Sequence, residues 1–169
     1  MATMSSADTS IDDSRVELIP DIRPTARAII VHQNRILLLR KVYPEGVERF
    51  ALPGGAQEPD ETVHEALQRE CEEEIGTSVQ IGPMLHVADF FKLRETTPPT
   101  RRHLLEMLFR CQVPDGYEPH NGHRPDKHQV EVVWADLAEL GRLPLFPPYL
   151  VACIARLDEP NRPLYLGSL

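Results

Sequence analysis

The pattern of hydrophobic and polar positions divides the chain into short apolar segments separated by polar breaks. Two apolar runs, residues 28–31 and 36–39, flank the polar residues 32–34, and this pattern predicts two buried strands joined by a tight turn. Three later segments predict further strands: residues 84–93, 104–113 and 130–134.

One segment has the character of a helix. Residues 61–74 contain neither Gly nor Pro, and Gly76 follows as a C-terminal cap. We expect a short helix over residues 137–140, capped by Asp136, and a last helix that Pro147-Pro148 opens and that runs through Leu157. Strands interleaved with two main helices predict a mixed α/β sandwich.

The length of 169 residues is enough for one domain. Residues 1–21 mix Ser, Thr and Asp with little periodicity and predict a flexible arm. The domain itself is expected over residues 22–157, followed by a tail over residues 158–169. Residues 114–127 are rich in Pro, Gly, Asn and His, which predicts a long loop. We expect that loop to border a substrate pocket.

Charge and cysteine usage narrow the classes of function. The net charge of −8 argues against binding of nucleic acid polymers or anionic membranes, because both need a positive surface. A bound metal ion can nevertheless invert the sign of a local acidic site. No apolar run is long enough to cross a bilayer, and the cysteines Cys71, Cys111 and Cys153 are typical of buried free thiols. A cytoplasmic location is therefore expected.

The predicted helix carries an acidic cluster where a solvent-exposed face would not lie. At about 100° per residue, Glu70, Glu73 and Glu74 fall on the same side of the helix as Val63 and Leu67. Three clustered carboxylates repel each other at the helix end where the macrodipole also disfavours negative charge. Oxygen ligands of this kind suit Mg²⁺ or Mn²⁺. The helix therefore predicts a metal site.

The spacing of these residues resembles the signature of the Nudix hydrolase family, G-x5-E-x7-R-E-U-x-E-E-x-G-U, where U is a bulky aliphatic residue. Cys71 and Thr77 depart from the two aliphatic positions. Asp60 stands where relatives often carry Gly, although Asp tolerates a positive φ better than most residues. All charged and glycine positions match: Gly55, Glu61, Arg69, Glu70, Glu73, Glu74 and Gly76. The segment Phe50-Ala51-Leu52-Pro53-Gly54-Gly55 is also similar to the residues that lead into this signature in members of the family.

The resemblance implies an α/β fold: a Nudix-type α/β/α sandwich with a mixed sheet and a catalytic loop-helix-loop. It implies metal ligands at Glu70, Glu73 and Glu74, with the carbonyl of Gly54 as a further candidate. Glu70 and Glu73 are the expected catalytic residues, with Glu70 as general base. The expected cofactor is Mg²⁺, for which Mn²⁺ can substitute.

Other roles stay open at this point. The family draws its general base from different places, so Glu131 and the loop over residues 114–127 are alternatives to Glu70. Arg69 is expected to orient a neighbouring carboxylate, and Glu61 to brace the loop before the helix. Arg40, Lys41 and Glu131 are candidate substrate contacts, and Tyr43, Phe90 and Phe91 are candidate stacking residues.

The implied function is divalent-metal-dependent hydrolysis of a diphosphate bond in a nucleoside diphosphate derivative. A nucleotide sugar, an ADP-ribose-like compound and a modified nucleoside triphosphate are all candidate substrates. The expected partner is a small-molecule diphosphate, and a homodimer is left open. Two alternatives remain: an inactive binding or regulatory module of the same fold, and a prenyl-diphosphate isomerase, for which Cys71 is a poor active-site residue.

Overall fold

The structure is a computed structural model that describes residues 16–169 of the chain. Within these residues the chain forms eight strands, two α-helices and a 3-10 helix over Leu137–Arg142. The strands are β1 (Glu17–His32), β2 (Arg35–Val42), β3 (Glu48–Ala51), β4 (Gly54–Ala56), β5 (Gln80–Arg94), β6 (Thr100–Gln112), β7 (Gln129–Asp136) and β8 (Tyr165–Ser168). The helices are α1 (Val63–Ile75) and α2 (Leu150–Ala155).

The strands form a mixed sheet, as the sequence predicts. Their order is β3-β2-β1-β6-β5-β8, with β4 paired to β1 and β7 paired to β2. The pairs β1–β6 and β5–β8 are parallel, while β2 pairs antiparallel with β1, β3 and β7. The predicted tight turn joins β1 to β2, and Gln33 and Asn34 adopt positive φ angles of 51° and 58° there. This conformation matches the twist of a two-residue hairpin.

Two buried clusters place helices on both faces of the sheet. Successive residues of β1 and β2 point to opposite faces, so that Ile30 and Leu37 join one cluster while Ile29 and Leu38 join the other. The first cluster contains Leu67, Cys71 and Ile75 of α1, and the second contains Leu150 and Ile154 of α2. The α/β/α sandwich with a mixed sheet is therefore confirmed.

The structure corrects the predicted arm and tail. Residues 1–15 lie outside the described residues, but β1 begins at Glu17, inside the segment expected as a flexible arm. The segment expected as a tail contains β8, which pairs in parallel with β5 through Val87 and Tyr165. Both additions hydrogen-bond through the backbone to strands far away in sequence, a kind of pairing that leaves little local pattern.

Smaller elements differ from the predictions as well. The strands β3 and β4 are too short to show a periodic pattern. The helix predicted after Asp136 is a 3-10 helix, and the Asp136 side chain makes no capping hydrogen bond. The last helix begins at Leu150 and ends at Ala155, so it is shorter than predicted.

The loop between β6 and β7, residues 113–128, packs on the C-terminal end of α1. The amide of Gly122 donates to the carbonyl of Glu74, and the amide of Arg124 donates to the carbonyl of Glu73. The Tyr117 hydroxyl donates to the carbonyl of Ile75 at 2.8 Å. These bonds satisfy carbonyls that a helix end leaves without partners. The loop between β6 and β7 therefore caps the C-terminal end of α1.

None of the helices formed by residues 16–169 combines the length and the apolar character that a membrane span requires.

Candidate active site

Capping at both ends fixes where α1 begins and ends, and therefore the directions in which its carboxylates point. Thr62 caps the helix: its hydroxyl accepts from the amide of Glu65, and the Glu65 carboxylate accepts from the amide of Thr62. Such a reciprocal cap is worth about 1 kcal/mol. At the other end Gly76 adopts a φ of 71°, the left-handed conformation of a C-terminal cap. The helix predicted from sequence is thus confirmed.

Gly55 and Gly54 of β4 lie directly against the carboxylates of Glu70 and Glu74 of α1. A Cβ atom on Gly55 would lie 2.5 Å from the carboxyl carbon of Glu70, so only glycine leaves room for this carboxylate. The amide of Gly54 donates to Glu74 Oε2 at 2.8 Å. Gly54 has a φ of 129°, and a Cβ atom there would lie 2.1 Å from the carbonyl oxygen of Ala26. The Gly-Gly pair therefore holds β4 against both β1 and α1.

Arg69 locks the approach loop to the helix. Its guanidinium donates to both carboxylate oxygens of Glu61, at 2.6 and 3.0 Å, and to the carbonyl of Ala56 at 3.0 Å. A further bond, from Nη1 at 2.9 Å, reaches Glu70 Oε1. The hydrogen bond from Arg69 lowers the pKa of Glu61, and the same bond raises the pKa of Arg69. Glu61 accordingly braces the loop, and Arg69 orients Glu70.

Burial works against the charge of the two cradled carboxylates. Glu74 is 2% exposed. Burial raises its pKa to about 8, although the Gly54 amide opposes the shift. Burial also raises the pKa of Glu70, against the hydrogen bond and charge of Arg69. Glu74 therefore needs a further positive charge to be ionised near neutral pH.

Glu73 and the carbonyl of Gly54 have other partners in this structure. Glu73 lies 3.7 Å from Arg69 Nη1 and 3.8 Å from Arg124 Nη1, and it does not line the cavity that Glu70 and Glu74 face. The carbonyl of Gly54 accepts from Arg27 Nη1 at 2.5 Å. Across residues 16–169, no three His, Cys, Asp or Glu side chains converge as a metal cluster.

The two remaining carboxylates still fit Mg²⁺. This ion usually binds one or two protein carboxylates and completes its coordination with water and substrate phosphate, rather than sitting in a cage made by the protein alone. Glu70 and Glu74 supply such a pair in one cavity: Glu70 shares the Arg69 guanidinium with Glu61, and Glu74 accepts from the Gly54 amide. The donor set is made of oxygen atoms, as hard divalent cations require.

The cavity has about 390 Å³ and two kinds of wall. One side is built from β4 and α1 and presents Glu70 and Glu74. The other side is built mainly from β1, β5 and β6 and carries positive charge. The basic residues that line the cavity are Arg23, Arg27, Lys41, Lys92, Arg94 and Arg102, and the acidic ones are Glu58, Glu70, Glu74 and Asp126.

The three predicted substrate contacts do not all line the same cavity. Lys41 lines the cavity, where its ammonium pairs with Asp126. Arg40 pairs instead with Glu131 at 2.6 Å and with Glu48 at 2.9 Å, and neither Arg40 nor Glu131 lines the cavity. Neighbouring residues of a strand point in opposite directions, which explains the separation of Arg40 from Lys41. A substrate role for Arg40 and Glu131 stays a prediction.

An aromatic pocket adjoins the cavity and shares Arg27, Lys41 and Lys92 with it. Tyr43 and Phe90, two of the predicted stacking residues, line this pocket. Phe91 instead stacks on His103 with ring centroids 4.5 Å apart, and does not line it. Phe50 and Phe146 complete the aromatic lining.

The deepest polar group of the aromatic pocket is Glu106. Its side chain is 1% exposed and lies 3.8 Å from Arg27, and one carboxylate oxygen has no hydrogen-bond partner within the described residues. Burial raises the pKa of Glu106, against the charge of Arg27. Glu106 and Arg27 were missed in the sequence, although polar residues at alternate positions of an otherwise buried strand were the signal that could have found them.

The three cysteines are buried and free, as predicted. Cys71 has no exposed surface, and burial raises its thiol pKa well above the ordinary value. It packs in the core between α1 and the sheet, and it does not line the cavity. Cys71 therefore cannot serve as the exposed cysteine that the isomerase alternative needs.

The mixed sheet, the capped helix and its glycine cradle define the class to which the chain belongs. A family model described as "NUDIX domain" matches residues 21–156. The chain is therefore a member of the NUDIX domain family, which confirms the resemblance stated from the sequence.

Individual relatives agree with this assignment. An ADP-ribose pyrophosphatase from Methanocaldococcus jannaschii is 35% identical over 88 residues, which cover 52% of this chain and 49% of the relative. The chain thus matches about half the length of this curated relative. A NUDIX hydrolase from Nitrosomonas europaea shares the fold at 21% identity with a TM-score of 0.63, over 80% of this chain and 87% of that one. A MutT NUDIX hydrolase from Burkholderia pseudomallei is 29% identical, with a TM-score of 0.60, over 79% and 96%.

Proposed function

We propose that the chain is a divalent-metal-dependent hydrolase that cleaves the diphosphate bond of a nucleoside diphosphate derivative. The observation that carries the proposal is the shared cavity, in which Glu70 and Glu74 face a wall of arginine and lysine side chains. Carboxylates alone would repel a diphosphate, and cations alone would not activate water. A cavity that offers both suits a metal ion together with a phosphate chain.

Glu70 and Glu74 are the residues that would hold Mg²⁺ or Mn²⁺, with Glu73 and the Gly54 carbonyl as further predicted ligands. The bound ion would neutralise the diphosphate and lower the pKa of a coordinated water molecule. Ligation through the Gly54 carbonyl would require Arg27 Nη1 to leave its hydrogen bond with that oxygen.

The chain's own side chains then divide the remaining work. Glu70 accepts the proton of the attacking water, held in orientation by Arg69 Nη1 at 2.9 Å. Arg27 and Lys41 lie where the cavity meets the aromatic pocket, and they contact the phosphate oxygens there. The aromatic pocket has only about 60 Å³. The nucleoside end of the substrate therefore lies over the mouth of this pocket, where a base can stack on Tyr43 or Phe90. Glu131 is a weaker choice for the base, because Arg40 already binds its carboxylate.

The test is a panel of nucleotide sugars, ADP-ribose-like compounds and nucleoside triphosphates, assayed with Mg²⁺, with Mn²⁺ and with excess EDTA. We expect two phosphate-containing products from at least one compound, and loss of turnover in EDTA that added Mg²⁺ restores. Hydrolysis in water enriched in oxygen-18 should place the label on one product phosphate. Undiminished turnover in excess chelator would overturn the metal requirement, and no product from any compound would favour a binding module.

The relative from Methanocaldococcus jannaschii supports an ADP-ribose-like compound as the first member of that panel. The match covers only half of each chain, so this substrate is a starting point for the assay rather than an assignment.

A further inference from the structure

Within the part of the chain that the structure describes, four cations line the active-site cavity without an acidic partner. Among the described residues, no carboxylate lies within 4.0 Å of the charged nitrogens of Arg23, Lys92, Arg94 or Arg102, whereas Lys41 pairs with Asp126 and Arg27 lies 3.8 Å from Glu106. Arg102 Nε is buried and has no hydrogen-bond partner there either. Arg23, Lys92 and Arg94 are exposed to solvent, so the half-buried Arg102 is the cation of this wall whose usual contacts are missing.

The strand register places these cations close together. Lys92 of β5 lies directly opposite Arg102 of β6, and Arg94 follows Lys92 by two residues, on the same face. Arg23 of β1 lies opposite Leu104, which follows Arg102 by two residues. Like charges directly opposite each other on a sheet are destabilising. An arrangement of this kind is retained at a cost unless an anion binds it.

The surroundings of Lys92 point the same way. Its ammonium lies 5.7 Å from the centre of the Phe146 ring, at the boundary with the aromatic pocket. Desolvation, and then the positive charges of Arg27 and Lys41, lower the pKa of Lys92. The negative charge of an incoming phosphate would counter the repulsion among these cations.

The charge on this wall exceeds what the cleaved diphosphate needs. Arg27 and Lys41 already lie between the carboxylates of α1 and the aromatic pocket. The proposed function puts the diphosphate that is cleaved beside these two residues. Arg94 and Arg102 line the cavity but not the aromatic pocket. An uncharged sugar beyond the diphosphate would leave these guanidinium groups without partners, whereas a phosphate would bind them through paired N–H donors.

We propose that Lys92, Arg94 and Arg102, with Arg23 beside them, form an anion subsite for a phosphate group of the substrate that lies outside the cleaved diphosphate. The subsite then favours a polyphosphate chain, or a diphosphate linked to a phosphorylated group, over a diphosphate linked to a neutral sugar such as an ADP-ribose-like compound. This inference rests on the proposed function for the position of the scissile bond, but the subsite can be tested by binding alone.

The binding experiment uses the full chain in EDTA, so that neither metal nor turnover contributes. Inorganic tripolyphosphate, diphosphate and ribose 5-phosphate are titrated by calorimetry into the wild type, the K92Q/R102Q double variant and the R102K variant. R142Q is the matched control, because Arg142 is exposed on the 3-10 helix and lines neither pocket. Thermal melting of each variant verifies folding.

We expect the double variant to bind its best phosphate probe at least tenfold more weakly than the wild type, since each lost charged hydrogen bond costs about that factor. R102K should lose less affinity than the double variant, because it keeps the charge but not the paired donors, and R142Q should lose none. Tighter binding of tripolyphosphate would indicate a phosphate chain, and tighter binding of ribose 5-phosphate would indicate a phosphorylated sugar. Equal affinity of the wild type and a folded double variant for every probe would overturn the subsite.

A kinetic arm separates this inference from the proposed function. With Mg²⁺, the double variant should lose at least tenfold in kcat/KM on a nucleoside triphosphate, mainly through KM, and less than about threefold on a nucleotide sugar with the same base. Equal losses on both substrates would overturn the assignment of the subsite to an additional phosphate. If no variant hydrolyses either compound but tripolyphosphate still binds through Lys92 and Arg102, the proposed function fails and the subsite stands.

Discussion

At the scale of single residues, the active site depends on carboxylates whose charge the fold opposes. Glu74 is buried with one backbone donor, and Glu70 has Arg69 as its fixed cationic partner. A bound cation would offset the cost of this burial, and metal binding would then be coupled to the ionisation of the pair. Arg69 contributes by direction as much as by charge, because its forked donors bind Glu61 and Glu70 at once.

The first prediction concerns Glu70. Replacing it with Gln removes a ligand charge and the proposed base but keeps the shape that fills the space beside Gly55. We expect E70Q to fold with a melting temperature at least equal to that of the wild type and to lose about 10³-fold or more in kcat. The measurement is steady-state kinetics with Mg²⁺ on the best substrate of the panel.

The matched control for that measurement is E72Q. Glu72 is exposed, and its carboxylate accepts from the Ser78 hydroxyl at 3.2 Å, on a different side of α1. Its substitution should leave kcat within about twofold. Near-native turnover of E70Q would remove Glu70 from both of its proposed roles.

Residue positions along a strand explain what could and could not be predicted at this scale. The positive φ of 68° at Asp60 confirms that the exchange for Gly in the signature loop is tolerated. The helix carboxylates follow a fixed spacing and could be found in the sequence. Arg27, Lys92 and Arg102 could not be assigned to the same cavity, because they meet only when β1, β5 and β6 are paired in register.

At the scale of secondary structure elements, α1 depends on the loop that follows β6. Residues of this loop bind the last carbonyls of the helix, where three acidic residues meet the unfavourable end of the macrodipole. The loop was expected to border the substrate, but of its residues only Asp126 lines the cavity. Its length and composition predicted an irregular segment, whereas its contact with α1 depends on tertiary structure alone.

The second prediction tests this contact with G122A. A Cβ atom on Gly122 would lie 2.3 Å from the carbonyl oxygen of Glu73 and 2.6 Å from that of Glu72. Backbone atoms cannot yield easily, so the loop should shift away from the helix end at a cost of about 1–3 kcal/mol. We expect a melting temperature several degrees below that of the wild type, together with reduced turnover.

G141A is the control for this comparison. Gly141 belongs to the 3-10 helix, and a Cβ atom there would meet nothing within 4 Å. The control should melt within about a degree of the wild type. Equal melting temperatures for G122A and the wild type would mean that the loop does not rest on α1 in solution.

At the scale of the whole molecule, apolar segments predicted the central hairpin and the long strands β5 and β6, while the absence of Gly and Pro and the Gly76 cap predicted α1. It did not predict the additions at the two ends of the described chain. The C-terminal segment is held to β5 by the backbone bonds between Val87 and Leu164 and between Leu169 and Asp89, at 2.7 and 2.9 Å. A short edge strand of this kind has no apolar stripe to reveal it.

The last prediction concerns the pH dependence of this attachment. His86 is 2% exposed, and its Nδ1 donates to the carbonyl of Pro163 at 2.8 Å, which leaves Nε2 buried without a partner in the described residues. Burial, with a smaller effect from the charge of Arg162, lowers the pKa of His86 below its ordinary value of 6.5. The unfolded chain therefore binds this proton first as the pH falls. The stability that neutral His86 contributes is present above about pH 6.5 and is lost as the pH falls through the lower pKa of the folded state. Urea unfolding followed by circular dichroism between pH 7.5 and 5 should show a steeper loss of unfolding free energy for the wild type than for H86Q, which keeps a donor but cannot titrate. Parallel pH profiles for the two proteins would show that His86 is solvated in solution and that the C-terminal segment does not enclose it.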